Sequence, residues 1–242
     1  MFDTKTLATI KTINVEGKPD GILFDPFNER VYDFSHSAPN ATVIDAKDGS
    51  VVGTIDLGGA PEQGVTDGKG HVYVDNEEKD NIAVIDAKTL KVTAHYDLAG
   101  KGGTCAGLAI DVKNHILFAA CRSPQTMVIL NADEGTIITT LPIGPATDGA
   151  VFNPATMEVF SSHSDGTLTV IKENSPTSFV VEQNLTTMPS AKTLTLDSKT
   201  NHILLIAAVF DPPPAGAPPL SAGRPARGPM VPGSFSILMV GK

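Results

Sequence analysis

The chain repeats itself, and the repeat is what most restricts its fold. The clearest copy is residues 59–99, four short runs with turn chemistry between them. Residues 64–66 end at Asp67-Gly68-Lys69-Gly70. Residues 71–74 are β-branched and aromatic, and the acidic stretch 75–81 breaks them. Residues 82–85 are apolar, and 92–96 alternate. Runs of this length, rich in Val, Ile and Tyr and punctuated by Gly, Asp and Asn, predict one antiparallel four-stranded meander.

Laid over its neighbours, the unit recurs at roughly forty residues, the spacing of four-stranded propeller blades. In residues 17–58, Arg30-Val31-Tyr32 stands where His71-Val72-Tyr73 stands, and Thr42-Val43-Ile44-Asp45-Ala46-Lys47 matches Ala83-Val84-Ile85-Asp86-Ala87-Lys88. Residues 100–144 carry His115-Ile116-Leu117-Phe118, residues 145–189 carry Glu158-Val159-Phe160, and residues 190–242 carry His202-Ile203-Leu204-Leu205. Repeats that bury their faces only on each other make residues 1–242 one domain: an all-β propeller of about five four-stranded antiparallel blades.

Phe2-Asp3-Thr4-Lys5-Thr6-Leu7 aligns with Ile85-Asp86-Ala87-Lys88-Thr89-Leu90, so residues 1–3 are the stub of a third strand and 7–15 a fourth. The fifth repeat has the complementary defect, stopping after its third strand. Unpaired edges invite association. The expectation is that residues 1–15 are a closing segment, the N-terminal strand completing the last blade beside 234–240. The alternative is that this strand pairs with a second chain, so the protein is a monomer or a strand-exchanged homo-oligomer.

The units resemble the YVTN repeats of YncE-like bacterial β-propellers, in which a Val-Tyr-Val-type strand precedes a Val-Ile-Asp strand, a Thr or Gly turn and a Val-Val-x-Thr-Ile strand. The best matches are 30–55 and 71–96, and the likeness spans essentially the whole chain. Its motifs are structural and specify no reaction. The resemblance implies a binding or scaffold protein from a periplasmic or secreted parent. The chain as written opens Met1-Phe2-Asp3-Thr4-Lys5, which is no signal peptide and reads as cytoplasmic.

A formal charge of -9 and a pI near 5.0 disfavour nucleic acid as a partner, since tracking phosphates needs clustered Lys and Arg. No run is long and apolar enough for a membrane-spanning helix. The two cysteines, Cys105 and Cys121, lie symmetrically about a hairpin turn near Lys113. They read either as a cross-strand disulfide or as two buried thiols, and a disulfide would point to export.

In such blades the entry to the first strand and the second-to-third connection share one face, the channel mouth, where a small molecule or protein partner is expected. His36 and His163 stand at nearly equivalent repeat positions there, Glu77 aligns with them in the second blade, and Asp20 and Asp148 occupy equivalent entries. Imidazoles with carboxylates suit a divalent metal such as zinc or calcium, giving His36, His163 and Glu77 as candidate ligands. If the site is catalytic, Asp20 or Asp148 acts as base or further ligand, and Arg122 or Lys192 stabilises developing negative charge. The plainer reading makes all of these polar blade-end residues. His71, His115 and His202 fall at second-strand starts on the opposite face and read as solvated. A Pro- and Gly-rich insertion, 211–233, interrupts the fifth repeat on the mouth face; it reads as a lid bringing Arg224 and Arg227 to the acidic rim, or as a surface loop. Two functions follow: a non-catalytic binding propeller, or a metal-dependent hydrolase of activated esters, lactones or phosphotriesters.

Overall fold

The repeated Asp and Asn residues are the hairpin corners. At the first hairpin of each blade, the carboxylate or amide of Asp25, Asp67, Asp111, Asn153 and Asp197 accepts a hydrogen bond from the backbone N–H two residues on. At the third, between the third and fourth strands, Asp45, Asp86 and Asn131 do the same for Lys47, Lys88 and Asp133. A side chain that closes its own turn in this way fixes where each strand ends. The repeat in the sequence is therefore mainly a repeat of turns.

The computed structural model of the chain describes residues 1–218 and 226–241. The first blade is β1 (Pro19–Asp25), β2 (Arg30–Ser35), β3 (Asn40–Asp45) and β4 (Val51–Asp56); the second is β5 (Pro61–Thr66), β6 (His71–Asn76), β7 (Asn81–Asp86) and β8 (Lys91–Asp97). The third is β9 (Cys105–Asp111), β10 (Ile116–Arg122), β11 (Gln125–Asn131) and β12 (Ile137–Pro142). The fourth is β13 (Thr147–Asn153), β14 (Glu158–His163), β15 (Thr167–Ser175) and β16 (Ser178–Thr186). The fifth holds β17 (Thr193–Asp197), β18 (His202–Ala207) and β19 (Ser236–Val240). Each sheet is an antiparallel meander in sequence order, four of them four-stranded and the fifth three-stranded. This is the all-β propeller that the repeats predict.

Pleating sends alternate residues of each strand to opposite neighbours. Tyr32 and Phe34 of β2 face the second blade and meet Val72 and Val74 of β6, which point back at them. Tyr73, Ile82 and Val84 face the third blade and pack on Leu108, Leu117 and Val128. Phe118 and Ile129 pack on Val159 and Ile171, and Phe160 and Val170 on Ile203 and Leu205. Burying each such side chain is worth about 1.5–3 kcal/mol, so the stability of the fold lies mainly between blades. Cys105 and Cys121 are directly opposed on β9 and β10 and form a disulfide within the cluster joining the second and third blades.

The expected closure differs. Residues 7–15 do not complete the last blade. Phe2 bridges Thr9, the N-terminal amine donates to Lys11 O at 2.7 Å, and Lys11 Nζ donates to Asp48 O at 3.0 Å. The segment thus lies on the β3–β4 corner of the first blade, and Glu16 is anchored by Asn40 Nδ2 at 2.8 Å. Those contacts hold it to the blade it precedes and leave the outer edge of β19 unpaired among the described residues. Inner strands pack β1 on β5, β5 on β9, β9 on β13 and β13 on β17, with no comparable packing of β17 on β1 among the described residues. Among the described residues the ring has one open seam, between β17 and β1.

The insertion carries a bridge between Phe210 and Met230, and Arg227 stacks over the Phe210 ring 3.9 Å from its centre. Arg227 is therefore held within the insertion. Arg224 lies outside the described residues.

Candidate functional site

Each inner strand of the first four blades is irregular at its entry. The register skips Asp20 between Pro19 and Gly21, Glu62 and Gln63 between Pro61 and Gly64, Ala106 between Cys105 and Gly107, and Asp148 between Thr147 and Gly149. A bulge re-aims the extra residue away from the pleat. Here Asp20, Glu62, Ala106 and Asp148, with Lys192 just before β17, all line one cavity of about 280 Å³ at the channel mouth. Gln63 forms its floor: its Oε1 accepts from Leu108 N and Ala150 N, both at 3.1 Å, and its Nε2 donates to Ala150 O at 3.0 Å. One amide thus ties the second blade to the third and fourth. Beneath it lies a second, apolar cavity lined by Val65, Leu108, Ile110 and Phe152.

Around the rim runs a chain of charges drawn from every blade. His36 Nδ1 lies 3.6 Å from Glu62 Oε1, and its Nε2 3.8 Å from Glu77 Oε2. Glu77 forms an ion pair with Arg122, whose Nε donates to Thr147 O at 2.9 Å and whose Nη2 reaches Asp148 Oδ1 at 3.5 Å. Asp148 Oδ1 also accepts from Lys192 Nζ at 2.5 Å. Arg122 and Lys192 are thereby partly neutralised, while the Asp20 end of the rim stays acidic.

Asp20, His36 and Glu62 present ligand atoms that all lie within 4.8 Å of one another. Loss of water, then the Glu77 charge, pushes the Glu62 carboxyl up to about 8, so it holds its proton at neutral pH. Behind it, Asp75 is fully buried with both carboxylate oxygens unpartnered among the described residues, and burial raises its pKa well above the ordinary range.

Of the sequence candidates, Arg122 and Lys192 both reach Asp148, Glu77 joins Arg122 to His36, and Asp20 lies beside His36. His163 does not share their site. It ends β14 opposite Thr147, as Ser35 ends β2 opposite Pro19. Its true counterpart in the first blade is therefore Ser35, and that of His36 is Ser164. A shift of one residue turns a side chain to the other face. His163 is buried, with Nδ1 donating to Thr167 O at 3.0 Å, and desolvation lowers its pKa. Glu62 is absent from the ligand set that the sequence suggests; its alignment with Asp20 at the bulged entry is the signal that finds it.

The fold and its pseudo-symmetric mouth define the class, a β-propeller. Among solved structures, the chain is similar to one titled Kuenenia stuttgartiensis hydrazine synthase, with TM-score 0.67 and 16% identity over 89% of this chain and 61% of that one. It is also similar to a chain of the mitotic checkpoint complex, with TM-score 0.72 and 10% identity over 84% and 63%. The chain thus spans about three fifths of both, and at these identities the likeness speaks to fold alone. No family model matches the sequence, and no curated protein does.

Proposed function

We propose that the protein is a binding propeller whose channel mouth takes a divalent cation, or a ligand presenting one, at Asp20, His36 and Glu62. The convergence of those three ligand atoms within 4.8 Å carries the reading. One imidazole and two carboxylates suit zinc and leave a coordination position for an exogenous oxygen. A cation there does electrostatically what the proton on Glu62 does, relieving the repulsion among Glu62, Glu77 and Asp20. The structural character of the YVTN-like repeats agrees with a scaffold role, and the Cys105–Cys121 disulfide favours an oxidising compartment.

Calorimetric titration of zinc and calcium into the protein at pH 7, run in buffers of different ionisation enthalpy, tests this. Binding of one ion with release of about one proton is expected, together with its loss in H36A and E62Q. No binding, or unchanged binding in both variants, refutes it. The second reading, hydrolysis of activated esters, lactones or phosphotriesters, draws on Arg122 and Lys192 beside Asp148. Turnover abolished by chelator and by H36A separates it from binding alone.

A further inference from the structure

The joint between the third and fourth blades changes character along its length. At the mouth end β9 and β13 touch backbone to backbone: a Cβ added to Gly107 would meet the Gly149 carbonyl carbon at 2.7 Å and the Ala150 nitrogen at 2.8 Å. In the middle, Phe118 stacks on Phe152 with ring centres 5.5 Å apart and meets Phe179 edge-on at 5.9 Å. At the far end two acids meet. Asp111, the last residue of β9, is 2% exposed, and Glu173 of β15 is 3% exposed.

Glu173 stands where the repeat elsewhere has alanine. Its backbone N donates to Met157 O just ahead of β14, as Ala87 N donates to Gly70 O ahead of β6 and Ala132 N to His115 O ahead of β10. Ala87 and Ala132 are buried. A carboxyl in such a place is unfavourable unless its oxygens are paired, and here only half of the oxygens are. Glu173 Oε1 accepts from Asn114 Nδ2 across the joint at 2.7 Å, and Asp111 Oδ1 accepts from Lys113 N at 2.9 Å. Glu173 Oε2 and Asp111 Oδ2 are buried with no donor among the described residues, although the two carboxyls lie within hydrogen-bonding reach of each other. Two facing carboxylates cannot both stay ionised there. Lys113, in the same hairpin as Asp111, is the cation that acts on Glu173. Lys172, next to Glu173 on β15, turns the other way to Thr156 O, with Glu158 its cross-strand neighbour.

We infer that Glu173 holds a proton and donates it to Asp111, so that the far end of this joint is a latch, closed while the proton is held and loosened as it is lost. One proton satisfies both orphaned oxygens. Desolvation, opposed by the Asn114 bond and reinforced by the Asp111 charge, pushes the Glu173 carboxyl up to about 7. Because the folded value lies above the ordinary 4.5, the latch contributes fully below 4.5, and its contribution is lost as pH rises through about 7. The strand that ends in Asp111 also carries Ala106 into the mouth, so the latch holds one of the strands that line the cavity. The backbone contact at Gly107 and the stacked rings keep the blades together when it opens.

Urea unfolding of E173Q beside the parent protein from pH 4 to 9 tests this. The glutamine amide donates to Asp111 as the protonated carboxyl does and cannot ionise, and Glu62, present in both proteins, cancels. The two should be equally stable at the acid end. By the alkaline end the folding constant of the variant should be the larger by on the order of a few hundredfold. D111N, whose amide can close the turn as Asn153 does in the fourth blade, should flatten the pH dependence over the same window. Hydrogen exchange of the parent, corrected for its intrinsic pH dependence, should quicken above neutral pH in residues 111–115 and 173–179 and not in 105–108. A gap between E173Q and parent that is the same at every pH overturns the inference, as does a D111N that keeps the parent's pH dependence. So does calcium that restores the parent at alkaline pH and leaves E173Q unchanged, which would put a cation and not a proton between the two acids.

Discussion

Replacing Glu62 by glutamine is expected to stabilise the protein in neutral and alkaline solution, by an amount that grows with pH. Glu62 has only 14% of its side chain exposed, and desolvation with the neighbouring Glu77 and Asp20 charges carries its pKa from 4.5 to about 8. Below the unfolded value, both states hold the proton and its effect on stability is fully favourable. Between about 4.5 and about 8 only the folded state keeps it, so unfolding releases a proton and stability falls as pH rises. Above about 8 the loss is complete. At about 1.4 kcal/mol per tenfold change in proton affinity, that loss is on the order of 4–5 kcal/mol. The amide of E62Q keeps the shape of the carboxyl and cannot ionise. Urea unfolding of both proteins from pH 4 to 9 should therefore give coincident stabilities at the acid end and a widening gap above it. Parallel curves, or a variant weaker at every pH, would refute the electrostatic account of the mouth.

Arg122→Ala removes the cation shared by Glu77 and Asp148 and the bond to Thr147 O. It should destabilise by about 3–5 kcal/mol at pH 7, because half-buried carboxylates lose their counter-charge, and the deficit should shrink at acid pH; urea midpoints read both. Gln63→Leu strands Leu108 N, Ala150 N and Ala150 O and should cost about 3 kcal/mol or more, seen as a lower thermal midpoint. The double variant C105A/C121A loses a crosslink across a sequence separation of 16. It should lose about 2–4 kcal/mol, measured by denaturation, and wild type should fall to the same value in reductant.

The blades are legible in the sequence because their information is local. An Asp that binds the amide two residues on, followed by an alternating strand, sets period, strand ends and inward faces together, and it does so at Asp25, Asp67, Asp111 and Asp197 alike. The closing strand is not legible, for the complementary reason. The alignment of Asp3 with Asp86 identifies a corner, and that corner forms. Which sheet edge receives residues 9–15 is a long-range choice between β19 and a place beside the first blade, and nothing in the corner's own residues expresses it.

The site divides along the same line. Charges on bulged entries can be found by alignment, since the bulge recurs at Asp20, Glu62 and Asp148 and each points its residue into the mouth. The histidine pair cannot, because strand side chains alternate with a period of two while a repeat alignment tolerates a slip of one. That slip separates His36, on the rim between Glu62 and Glu77, from His163, bound to Thr167 inside its blade. The charges of this mouth therefore come from the ends of the second strands together with the bulged residues of the first strands. A cation-binding test of the proposed site therefore has to include Glu62 and not the two histidines alone.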